Sequence, residues 1–94
     1  MIRHIVLFSA TAEEHIDTIV ETLSGYSAIP EVRDLAVSRN LKMDSLSNEF
    51  DVVLRVSFAT RDDLKAYKAH PIYEEGTRIV RPLRDQRVVV DVEE

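Results

Sequence analysis

The chain has no cysteine and no tryptophan, and its 94 residues include only two glycines and three prolines. Without cysteine there is no disulfide, no thiol nucleophile and no thiolate metal ligand. Glycine occurs only at Gly25 and Gly76, so no glycine-rich loop can cradle a nucleotide phosphate, and HExxH spacing is absent as well. Basic residues number 12 against 17 acidic ones, for a formal charge of -5. They are nowhere gathered with interleaved aromatics, so no nucleic-acid partner is expected. Long apolar runs are also missing. The N-terminal stretch Met1 to Phe8 is apolar but short, carries His4 inside it, and is followed by no small-residue cleavage pattern. It reads as a strand rather than a signal peptide or membrane span. A cytoplasmic location, no membrane partner and no metal or cofactor are the expectations.

What is present is an ordinary globular composition, 45% hydrophobic and 31% charged, over a length that suits one small α+β domain spanning residues 1–94. Small domains bury a modest share of their surface. With no disulfide to compensate, association with a second copy is the expected support.

Ile2 to Phe8 is β-branched and apolar without helical period, which predicts a first strand ending near Ser9. Thr11 with Glu14 fits a capping box, and Ile16, Ile19, Val20 and Leu23 follow at helical spacing, with an end at or just past Gly25. Alternation predicts a less buried strand over Val32 to Arg39 and the strongest strand over Phe50 to Phe58, joined by a polar connection. Thr60 and Asp63 repeat the cap pattern. His70 precedes Pro71, which disfavours helical geometry at His70 and suits Pro71 to the first turn of a new helix through about Val80. Arg87 to Val92 closes the chain as a strand. Strand, helix, strand, strand, helix, strand is the ferredoxin-like order, with four antiparallel strands and helices on one face.

Val52, Leu54, Val56 and Phe58 share one face of their strand and are expected to meet the helices. The first strand is apolar on both faces, with His4, Val6 and Phe8 opposite Ile5 and Leu7. The last strand is read the same way, with Val88 and Val90 opposite Val89 and Val92. Helices on one side cannot cover both faces. A two-fold homodimer packing sheet on sheet through Ile5, Leu7, Val53, Val88 and Val90 is the simplest solution. Arg55 then lies at that interface, with Asp51, Asp91 or an acid of the second copy as its partner.

On the helix-facing side, His4, Tyr67, His70 and Tyr73 are expected to converge at one end of the layer, with Val6, Phe8 and Leu54 supplying an apolar lining. Imidazole titrates near neutrality and a phenol can donate to a carbonyl, so His4 with Tyr67 is the candidate catalytic pair, and His70 and Tyr73 are candidate ligand contacts. The same residues also serve as packing groups with one hydrogen bond, and His70 as a helix terminator. Arg78, Arg81, Arg84 and Arg87 suggest a basic stripe for an anionic ligand, but their spacing crosses a break at Pro82.

Four segments carry a family resemblance: Ile2-Arg3-His4-Ile5-Val6-Leu7-Phe8, Asp51-Val52-Val53-Leu54 through Ser57-Phe58, Leu64-Lys65-Ala66-Tyr67-Lys68-Ala69-His70-Pro71, and Val89-Val90-Asp91. In this order they resemble the stress-responsive A/B barrel domain (Dabb) family across essentially the whole chain. The resemblance implies a ferredoxin-like subunit that dimerises into an α+β barrel. A plant cyclase of that family closes an aromatic ring with a His, a Tyr and a second His. His4 and Tyr67 match the first two, while the last position of the His-Pro-x-His pattern is Tyr73 here, a far weaker base near neutral pH. The expected function is therefore a homodimeric protein that binds a small apolar or aromatic molecule between helices and sheet. The alternative is a cofactor-independent enzyme, cyclase-, lyase- or monooxygenase-like, that uses His4 with Tyr67 or Tyr73.

Overall fold

The alternation in Val52 to Phe58 and the helical spacing of Ile16, Ile19 and Leu23 are both realised in the computed structural model, which describes residues 1–94. The elements are β1 (Ile2–Ala10), α1 (Ile16–Ser24), β2 (Asp34–Arg39), β3 (Val52–Phe58), α2 (Arg61–Ala69), α3 (Pro71–Val80) and β4 (Arg84–Glu93). The strands form one antiparallel sheet in the order β2-β3-β1-β4. This is the ferredoxin-like α+β fold. No helix is long and apolar enough to cross a membrane.

Local chemistry sets most boundaries. Thr60 Oγ1 accepts from the Asp63 N–H at 3.1 Å and starts α2. The residue before a proline avoids the helical region, and His70 sits extended at φ -73 and ψ 140. Its Nδ1 accepts from the Ile72 N–H at 3.1 Å, so the residue that ends α2 also caps α3. Thr11 departs from the expected capping box. Its N–H and its hydroxyl both donate to the Leu83 carbonyl, at 2.8 and 3.1 Å, which ties Thr11 to the approach to β4. A 3₁₀ turn over Glu13–His15 then leads into α1, with no side-chain cap. β4 starts at Arg84 rather than Arg87, because Arg84 still pairs with Ala10 across an irregularity in register after Phe8.

The helices cover most of the inner face. Ile2, Val6, Phe8, Val52, Leu54, Val56 and Phe58 pack beneath Ile16, Ile19, Leu23, Tyr67 and Val80 in one buried cluster. Each such aliphatic or aromatic side chain contributes roughly 1.5–3 kcal/mol relative to exposure.

On the outer face, Ile5 pairs with Val90 and Leu7 with both Val53 and Val88. Val92 belongs with this set: it pairs with Arg3, and residues two apart in a strand share a face, so it does not accompany Val89. Val88, Val90 and Val92 remain 42%, 51% and 39% exposed. The partner of Arg55 is Asp34, at 3.6 Å. Asp51 instead accepts from the Ala10 N–H and from Lys42, and Asp91 points to the inner face.

Candidate functional site

Strand register brings three inner rows together. Asp91, His4 and Val56 stand side by side, then Val89, Val6 and Leu54, then Arg87, Phe8 and Val52. Above them α2 and α3 meet at the break made by His70 and Pro71. The break lets Tyr67 and Tyr73 approach each other from two helices, with ring centroids 5.0 Å apart. Tyr67 is fully buried and packs against Phe58 at 4.9 Å and His4 at 6.0 Å, both edge-on.

A cavity of about 140 Å³ opens among these residues, lined by His4, Val6, Phe8, Leu54, Tyr67 and Tyr73 from the expected set. An apolar cavity of about 150 Å³ is enough to hold benzene. His70 is not part of this lining, because its ring is engaged in capping α3.

At the cavity floor, His4 Nδ1 donates to Asp91 Oδ1 at 2.6 Å. Burial lowers the His4 pKa below its ordinary value. Asp91 pulls the other way through its hydrogen bond and charge, while Lys68 and Arg87 add to the lowering. The ring is therefore neutral at pH 7, and its proton on Nδ1 leaves the Nε2 lone pair free. That Nε2 is buried without any hydrogen-bond partner, and so is the Tyr67 hydroxyl. Burial, reinforced by Tyr26 and Tyr73, pushes the Tyr67 phenol well above its ordinary pKa. Tyr67 is thus a fixed O–H donor and not a base, whereas His4 Nε2 is a fixed acceptor. Buried polar atoms usually find partners, and leaving one unpaired costs about 1–3 kcal/mol. Two such atoms at one cavity can together hold a group that both accepts and donates, such as a hydroxyl, or a carbonyl with an acidic neighbour.

Tyr26 and Asp91 escaped the sequence reading as site residues. Tyr26 is buried, its ring centroid 5.8 Å from that of Tyr67 and 5.4 Å from that of Tyr73. Its signal was Gly76, a glycine inside a helix: a Cβ there would overlap the Tyr26 ring, so only glycine lets the phenol lie against α3. Asp91 was legible only through the β1–β4 register, which places it opposite His4. Of the arginine stripe, Arg78 turns away to Glu75, while Arg81, Arg84 and Arg87 all line the cavity.

The sequence matches the family described as stress responsive A/B barrel domain over residues 2–94. Among curated proteins none matches. A structure of a dimeric ferredoxin-like protein of unknown function from Thermobifida fusca is 26% identical, with a TM-score of 0.85, over 99% of this chain and 90% of that one. A Dabb family protein with a ferredoxin-like fold from Mesorhizobium loti is 20% identical, with a TM-score of 0.83, over 99% of this chain and 95% of that one. A hydroxynitrile lyase from Passiflora edulis is 19% identical, with a TM-score of 0.81, over 97% of this chain and 90% of that one. The last two likenesses bear on fold alone.

Proposed function

This chain belongs to the stress responsive A/B barrel domain family, and on that premise we propose that it is a homodimeric barrel protein that binds a small aromatic or ketone-bearing molecule between its helices and its sheet. The observation that carries this reading is the pair of buried, unpartnered atoms at the cavity floor, His4 Nε2 and Tyr67 Oη. A ligand that satisfies both gains two hydrogen bonds, while Val6, Phe8 and Leu54 contact its body. Dimerisation is supported by the exposed valines of β4 and by the dimeric description of the Thermobifida fusca relative.

A thermal-shift screen of small aromatics and ketones against wild type and His4→Ala tests the reading. Stabilisation by several related compounds, lost in the variant, is the expected result. No stabilisation across a broad library would overturn it.

The Asp91–His4 hydrogen bond favours a second reading, proton transfer without a cofactor. A carboxylate on Nδ1 orients the imidazole and raises the basicity of Nε2. Nε2 would take a proton from a carbon beside a carbonyl while the Tyr67 O–H polarises that carbonyl. Tyr73 then supplies ring surface instead of a base. Hydrogen–deuterium exchange of the acetophenone methyl group in D₂O separates the readings: exchange accelerated by wild type and not by His4→Ala marks an enzyme, and no acceleration leaves a binding protein.

A further inference from the structure

The cavity's rim differs in charge from the rest of the molecule. Arg81 ends α3, Arg84 begins β4, and Arg87 stands beside Phe8 in the inner row, and all three residues line the one cavity. Arg3, Arg39, Arg55, Arg61 and Arg78 each face a carboxylate, and Arg33, which is outside the cavity lining, has no ion pair. No ion pair engages Arg81, Arg84 or Arg87. Three cations meet without a counter-charge in a chain whose formal charge is -5.

Arg84 reports the consequence. Burial lowers its pKa, and the charges of Arg87 and Arg81 lower it further. A concave site lined by one sign of charge focuses potential on whatever enters it. Guanidinium is also the side-chain group best matched to a planar carboxylate, through paired N–H donors.

We infer that the occupant of this cavity is a small carboxylic acid, its carboxylate held at the rim by Arg84 and Arg87 with Arg81 alongside, and its uncharged ring or carbonyl reaching His4 Nε2 and Tyr67 Oη on the floor. The inference rests on the cavity being a binding site and adds the charge of what binds there. Two features that had no mutual explanation become complementary: unneutralised cations at the rim and unpartnered atoms on the floor. The cavity volume of about 140 Å³ limits the enclosed part to about one six-membered ring, which places the charged group at the rim.

The test compares benzoate with benzamide, nearly the same shape but neutral, by NMR titration of the whole protein. The proteins are wild type, the double variant Arg84→Gln/Arg87→Gln, and Arg78→Gln as a control, since Arg78 is paired with Glu75 away from the cavity. Folding of each is confirmed by its amide spectrum. The expected result is benzoate binding about tenfold or more tighter than benzamide in wild type and in the control, a preference lost in the double variant while benzamide binding persists. Equal affinity for the two ligands would overturn the carboxylate inference and leave the cavity as a binding site. A preference that survives in the double variant would overturn the role given to these arginines. Absence of binding by either ligand at millimolar concentration would overturn the cavity reading and the inference with it.

Discussion

The two faces of the sheet are incomplete in opposite ways. The centre of the inner face is apolar and buried, and what it lacks is hydrogen-bond partners for His4 Nε2 and Tyr67 Oη. What the outer face lacks is cover for Val88, Val90 and Val92. An unpaired polar atom at a cavity calls for a polar small molecule, whereas an exposed apolar face calls for another apolar face. The strand period of two assigns the jobs: within β1, His4 serves the inner face and Ile5 and Leu7 the outer, one residue apart.

The inner face gives the largest effect. Tyr67→Ala removes a fully buried ring and is expected to destabilise by about 3–5 kcal/mol, read by denaturant unfolding. Tyr67→Phe removes only an unpartnered oxygen, so the variant is expected to be as stable as wild type or more stable by up to about 3 kcal/mol, with ligand binding lost. If Tyr67→Phe proved as costly as Tyr67→Ala, the hydroxyl would be a structural group and the contrast between the faces would fail.

The outer face comes next. Val90→Asp places a charge at the centre of the exposed valine row, and loss of the valine contact alone corresponds to roughly 1.5–3 kcal/mol. Sedimentation should show the dimer weakened by about tenfold to a hundredfold, with the inner cavity still binding ligand. A wild-type monomer at micromolar concentration would remove the outer half of the comparison. A smaller effect is expected of Gly76→Ala. The added methyl drives the Tyr26 ring toward the cavity, at about 1–3 kcal/mol in stability. An affinity change larger than the stability change would show that Tyr26 shapes the site.

The ferredoxin-like order and the break at His70 and Pro71 were legible in the sequence, because alternation and a pre-proline residue are local signals. The inner set His4, Val6, Phe8 and Leu54 was legible for the same reason. Contacts fixed by register were not. Asp91 belongs to His4 and not to Arg55 only because β4 pairs with β1 in one particular alignment. The arginine stripe looked broken at Pro82 along the chain, yet the turn there folds Arg84 and Arg87 back to the cavity that Arg81 already lines. Thr11 misled for a related reason, since its N–H and hydroxyl both donate to a tertiary acceptor, the Leu83 carbonyl, which ties it to the approach to β4 rather than to the start of α1.

The smallest effect is on pH dependence. Because the folded His4 pKa lies below the ordinary value near 6.5, the unfolded chain takes up this proton first. The stability that follows from a neutral His4 is present above about pH 6.5 and is lost as pH falls through the lower folded pKa. Between pH 7.5 and 5.5, wild type should therefore lose more thermal stability than His4→Gln.

The central claim is that His4 Nε2 is an unprotonated acceptor held ready for a ligand, and the ring nitrogens of His4 report on it directly. A long-range ¹H–¹⁵N spectrum at pH 7, recorded without and with phenol, should show the proton on Nδ1, an unprotonated Nε2, and a shift of Nε2 on phenol addition. A proton on Nε2, a doubly protonated ring, or an Nε2 resonance indifferent to saturating phenol would contradict it.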